Sequence, residues 1–202
     1  MIYCDIFVQD NIHLLFPTSV YRSYDLISEE ENMRIYQHIL KEKDVVKGRG
    51  IDSWYSGANS PQNSFNIGYE NKIFDLLFER INTKVNEYAK FLNCDHHKFF
   101  LSEWWWNVYT NKNSQEFHHH LPSSISGVYF CKRPEGSAPI VFHHPNFYYC
   151  TPHSIRNEYN SDSYSIEPVE RSLLIFQSST VHMVPPGLNT DPRVTISFNY
   201  KV

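Results

Sequence analysis

The stretch "RVTISFNY" (residues 193–200) constrains this chain more than any other. Arg193, Thr195, Ser197 and Asn199 alternate with Val194, Ile196, Phe198 and Tyr200. Side chains alternate across a β-strand, so the first four share one face and the second four the other. Such a strand either turns its polar face to water or lines a pocket with it while the apolar face packs under helices. Two upstream segments favour the second arrangement. "SEEENMRIYQHILKEK" begins with Ser28 and Glu31 at capping-box spacing and carries glutamates where a helix N-terminus favours them. Met33, Tyr36, Ile39 and Leu40 then predict its apolar face. Residues 71–92 predict a second helix, with Phe74, Leu77, Phe78, Ile81, Val85, Tyr88 and Leu92 at helical spacing. Two amphipathic helices need a sheet to cover.

Further strands follow from the β-forming, aromatic-rich runs "FFLSEWWWNVYT", "SSISGVYFCK", "APIVFHH" and "RSLLIFQSS", separated by Pro, Gly, Asn and Ser. The pattern predicts a mainly β chain, a sandwich, jelly roll or barrel, with helices packed on it. Residues 44–69, with four glycines and a proline, read as a loop with at most a short strand. No repeat or low-complexity linker divides the chain. With 202 residues, 41% of them hydrophobic, it can build one substantial core, so the expectation is a single domain over 1–202: a helical half, 1–95, on a strand-rich half, 96–202.

The net charge of −4 and the lack of a basic stripe argue against nucleic acid as a partner. The apolar runs fall short of the ~18 residues of a membrane span. "MIYCDIFVQD" has neither the basic nor the long apolar region of a signal peptide. Cys4, Cys94, Cys131 and Cys150 form no CxxC pair. Reduced thiols in a cytoplasmic protein are the expectation.

The chemistry points to histidine. "EFHHHLPSS" places His118 and His120 two apart, so on a strand both face one way and His119 the other. Two such imidazoles can share a divalent ion. His182, in "SSTVHMVPPG" before a rigid turn, is the best third ligand, with His143 and His144 as competitors. Glu116 also lies two residues from His118 and offers a carboxylate. Non-haem Fe(II) oxygenases usually combine two histidines with one carboxylate. Here His120 stands at the second position, and three neutral imidazoles leave an ion with more net positive charge. A surface histidine cluster without metal is the plain alternative. Trp104, Trp105 and Trp106 are expected in packing, and loop residue Trp54 as a substrate lid. His96, His97, His143 and His144 read as surface or supporting groups.

Four elements taken together carry a resemblance: "LFPTSV" (residues 15–20), "GIDSWYSG" (50–57), "HHHLPSSISGVYF" (118–130) and "HMVPPGLNTDPRVTISFN" (182–199). In this order and spacing the chain resembles the 2-oxoglutarate/Fe(II) oxygenases of the prolyl-4-hydroxylase-like superfamily, in particular a family of small proteins common in marine bacteria and their phages. The resemblance implies a double-stranded β-helix (jelly roll) with supporting helices, one Fe(II), and 2-oxoglutarate and O2 as co-substrates. Carried over by position, His118, His120 and His182 take the metal and His119 does not. Arg193, eleven residues after His182, takes the distal carboxylate of 2-oxoglutarate. The physics agrees, because a buried arginine grips a carboxylate through two parallel charge-assisted hydrogen bonds. Thr195 shares its strand face. Asn107, Tyr109 and Tyr129 are further candidates for the same pocket. The activity implied is hydroxylation of a peptide, prolyl or small-molecule substrate, with succinate and CO2 as co-products. A cupin-like three-histidine enzyme without 2-oxoglutarate, and a non-catalytic jelly-roll binding module, are the rival readings.

Overall fold

The computed structural model describes residues 17–42, 72–110, 113–145, 155, 157 and 160–202. The loop of 44–69, Trp54, Cys4 and Cys150 lie outside them. The elements in chain order are β1 (Val20–Ser23), α1 (Glu29–Glu42), a 3-10 turn (Lys72–Phe74), α2 (Asp75–Phe91), β2 (Phe100–Tyr109), β3 (Gln115–His118), β4 (Ile125–Lys132), β5 (Ile140–His143), β6 (Ser163–Ile166), β7 (Leu173–Gln177), β8 (His182–Val184) and β9 (Arg193–Lys201). They form two antiparallel sheets, ordered β1-β7-β4-β9-β2 and β3-β8-β5-β6. This is the expected double-stranded β-helix with two helices on one side. Neither described helix is long and apolar enough to cross a membrane.

β9 holds the layers in place. It pairs with β2 along one edge and β4 along the other. Val194, Ile196, Phe198 and Tyr200 pack under the helices, beside Leu77 and Ile81 of α2. Burying each such side chain stabilises the fold by roughly 1.5–3 kcal/mol. Arg193, Thr195 and Asn199 are buried on the other face, between the sheets. The second core, between the sheets, is built by Val128, Phe130, Leu174 and Phe176 against Ile140 and Phe142.

The capping box forms as the sequence predicts. Glu31 N–H donates to Ser28 Oγ (3.2 Å), and Ser28 N–H donates to Glu31 Oε2 (3.0 Å). The Ser28 hydroxyl also donates to Glu31 Oε2 (2.7 Å), and this bond, with the one from Ser28 N–H, holds the Glu31 carboxyl below its ordinary value. The apolar face of α1 is rotated from the expected one. Met33 is exposed, and Asn32, Ile35 and Ile39 are the buried residues. Asn32 is the cause. Its Nδ2 donates to the Cys131 carbonyl (2.9 Å), and its Oδ1 accepts from the Tyr129 hydroxyl (2.8 Å). Both partners lie on β4, so a polar residue docks the helix.

Gly127 sits where β4 runs between β7 and β9. A methyl group there would meet the Phe198 ring and stand 2.5 Å from the Leu174 carbonyl oxygen. The carbonyl belongs to the ladder and cannot yield. Gly127→Ala is therefore expected to lower stability by about 1–3 kcal/mol, as overpacking does, measured by urea unfolding. Adding Phe198→Leu should restore only part of the loss.

Candidate functional site

The backbone brings three histidines together from two directions. His118 ends β3 and is paired directly with His182 on β8, so both side chains leave the sheet on the same face. Their ring centroids are 4.3 Å apart. His120 lies just past the strand, in a turn pinned by two backbone bonds: His120 N–H to the Ser178 carbonyl (2.8 Å) and Ser123 N–H to the His120 carbonyl (3.0 Å). Its ring is 5.0 Å from His118 and 5.1 Å from His182. One nitrogen from each of the three lies within 4.8 Å of the others. A triangle of that side has its centre about 2.8 Å from each corner, so a metal–nitrogen bond of about 2.1 Å needs ring shifts below an ångström.

The rings are also prepared chemically. His118 Nδ1 lies 2.7 Å from the Glu116 carbonyl, and His182 Nδ1 lies 2.9 Å from the Thr180 carbonyl. A carbonyl only accepts, so each Nδ1 carries the proton and each Nε2 keeps its lone pair for a ligand. Phe176, at 4.7 Å, and Phe142, at 5.9 Å, fix the His182 ring from the core. The His120 ring rests against Trp105, at 5.6 Å. Burial pushes His120 down to about 2 and His182 to about 3, with the neighbouring imidazoles adding to it. Burial lowers His118 too, against the pull of the Glu116 carbonyl. All three are held neutral, the form that binds metal.

The same pocket holds Arg193, buried to 2% exposure on β9. Its guanidinium lies 4.8 Å from the ring of Tyr109, its register partner on β2, and 5.9 Å from that of Phe130. Its Nε has no hydrogen-bond partner among the described residues, and no ion pair forms there. A buried charge of this kind is costly unless something pairs with it. Burial pushes Arg193 down and Tyr109 up to about 12; the Arg193 charge and a hydrogen bond with Thr195 pull Tyr109 partly back. Asn107 Nδ2 donates to Thr195 Oγ1 and Ser197 Oγ, both at 3.3 Å, fixing the hydroxyls beside the arginine. The pocket thus offers three neutral imidazoles together with a guanidinium whose Nε is unpartnered, donors suited to a metal ion and to a carboxylate.

Several sequence-based expectations need correction. Tyr129 does not face the pocket. β4 is buried on both sides, and Tyr129 points to the helices, bonded to Asn32. Glu116 is exposed and outside the cluster. A register shift between Gln115 and His118 breaks the alternation, so Gln115 and His118 both turn inward. His119 is exposed, and His143 and His144 stand apart from the cluster. His143 packs edge-on against Phe117. Trp104 and Trp106 pack under the helices, whereas Trp105 lines the pocket. Gln115 and Trp105 were not legible as pocket residues. Parity along "WWWNVY" would have found Trp105, since it shares a face with Asn107 and Tyr109.

Residues 103–199 match the family described as "Putative 2OG-Fe(II) oxygenase". No curated protein sequence matches the chain. Among solved structures, a prolyl-4-hydroxylase from Pseudomonas putida superposes with a TM-score of 0.66 at 10% identity, covering 91% of this chain and 92% of the other. The viral collagen prolyl hydroxylase of Paramecium Bursaria Chlorella virus-1, in its 2OG complex, gives 0.59 at 12%, covering 91% and 96%. HygX from Streptomyces hygroscopicus, with nickel, 2-oxoglutarate and hygromycin B bound, gives 0.64 at 8%, covering 91% and 83%. At these identities the likeness is one of fold.

The pH dependence follows from the depressed histidines. In the unfolded chain each protonates near 6.5; in the fold His182 and His120 resist protonation down to about 3 and about 2. Their contribution is fully present above about 6.5 and falls as pH drops towards the folded values. Thermal melts in chelator should therefore show stability declining below pH 6.5. His182→Ala should flatten that slope as well as lower the melting temperature; an unchanged slope would contradict the assignment.

Proposed function

We propose that this chain, whose residues 103–199 match the 2OG-Fe(II) oxygenase family model, is an oxygenase of that family, holds Fe(II) on His118, His120 and His182 and hydroxylates a peptide, prolyl or small-molecule substrate. Bound together, the iron and 2-oxoglutarate supply oxidation of a substrate C–H by O2, with succinate and CO2 as co-products. The observation that carries this reading is Arg193, a buried guanidinium with an unpartnered Nε in the cavity that the three histidines share.

This chain's own residues bind, orient and exclude. The Glu116 and Thr180 carbonyls keep the proton on Nδ1 of His118 and His182, so each Nε2 faces the ion. Arg193 takes the distal carboxylate of the co-substrate, and Thr195, aligned by Asn107, adds a hydroxyl to the same end. Tyr109 covers the guanidinium and keeps water from it. Val128, Ile140, Phe176 and Val184 make much of the remaining wall apolar. A dry wall strengthens the electrostatic contacts inside it. A cupin-like enzyme using no 2-oxoglutarate would leave Arg193 without a partner.

A co-substrate that binds the folded state raises the melting temperature by mass action. With Mn(II) present, 2-oxoglutarate should stabilise the wild type in a thermal-shift titration. Arg193→Ala should weaken 2-oxoglutarate binding by about 10- to 100-fold, the loss of one or two charge-assisted bonds. Arg193→Lys should fall between, because it keeps the charge and loses the fork. Metal binding that persists with no response to 2-oxoglutarate in the wild type would favour the cupin-like alternative.

A further inference from the structure

The cavity walls extend the charge pattern that the three histidines begin. Among the described residues that line it are three histidines and Arg193, and no aspartate or glutamate. Glu167 acts on Arg193 from outside the lining, and neither Glu116 nor Glu103 is part of it. Glu116 is carried outward by the register shift in β3, and Glu103 accepts a 2.6 Å hydrogen bond from Asn199. Gln115, which the same shift turns inward, offers an uncharged amide beside His118. His120 stands where two-histidine, one-carboxylate sites carry their acid.

We propose that this pocket leaves its positive charge for the co-substrate to neutralise, and that His120 and Gln115, uncharged where an acid would fit, make metal and dianion binding depend on each other. The inference rests on the metal and 2-oxoglutarate reading above and adds to it the residues that set the strength of coupling. A divalent ion on three neutral imidazoles keeps its full charge, and Arg193 adds one more of the same sign in the same cavity. The two repel across a largely apolar interior until an anion lies between them. A dicarboxylate touching both converts repulsion into two attractions. Metal alone should then bind weakly, and the dianion should raise its affinity steeply. By reciprocity the metal raises the affinity of the dianion by the same factor. An acid in the wall would neutralise part of that charge in advance and reduce the dependence.

The test is titration of the purified chain with Co(II), followed by its visible absorption, with and without saturating 2-oxoglutarate. The comparison is among wild type, His120→Asp and Gln115→Glu. Gln115→Glu is nearly isosteric and leaves every proposed metal ligand in place. In both variants Co(II) alone should bind more tightly than in wild type. The enhancement by 2-oxoglutarate should shrink by about fivefold or more, within the usual range of coupling between sites. If His120→Asp fails to fold, Gln115→Glu decides the matter. A folded Gln115→Glu with the full wild-type enhancement overturns this inference and leaves the parent reading intact. A wild type that binds no Co(II), or ignores 2-oxoglutarate, overturns both.

Discussion

A guanidinium buried between two sheets, with one nitrogen unsatisfied, is a costly feature of this fold and the one the rest is arranged around. Such a group survives only where its surroundings over-determine its position. β9 provides that. Its apolar face is locked under two helices by Ile196, Phe198 and Tyr200. Both its edges are taken by neighbouring strands. Tyr109 and Phe130 lie against the charge itself. Stability gained on one side of the strand holds a buried charge in place on the other.

The histidines follow a related logic, with the backbone setting their protonation. Two of them face the carbonyl of the residue two positions earlier, one at the end of β3 and one at the start of β8. Direct pairing of those residues puts both rings on one face. The third comes from a turn, and its ring is oriented by Trp105 and by the backbone bond to Ser178. His120 thus has packing where the other two have a hydrogen bond. The irregularity in β3 brings Gln115 inward and takes Glu116 out, so no aspartate or glutamate lines the site among the described residues.

Much of this was legible in the sequence where one face of an element is polar and the other apolar. Alternation in "RVTISFNY" located both the helix side and the pocket side of β9, and helical spacing located the buried face of α2. Legibility failed where both faces are buried or the alternation breaks. β4 is buried throughout, so nothing local tells Tyr129 from Val128 or Phe130, and Tyr129 turns to Asn32. Asn32 in turn reads as a surface residue, which misdirected the expected face of α1 towards Met33. A register shift has no signature in "QEFH", so Glu116 looked like a neighbour of His118. In each case the deciding partner lies far off in the sequence.

The most direct test is a crystal structure of the protein grown without oxygen with Mn(II) and 2-oxoglutarate. The account predicts one ion bound by Nε2 of His118, His120 and His182, chelated by the keto acid end, with the distal carboxylate on Arg193. An ion held elsewhere, or a carboxylate that leaves Arg193 unpaired, would contradict it.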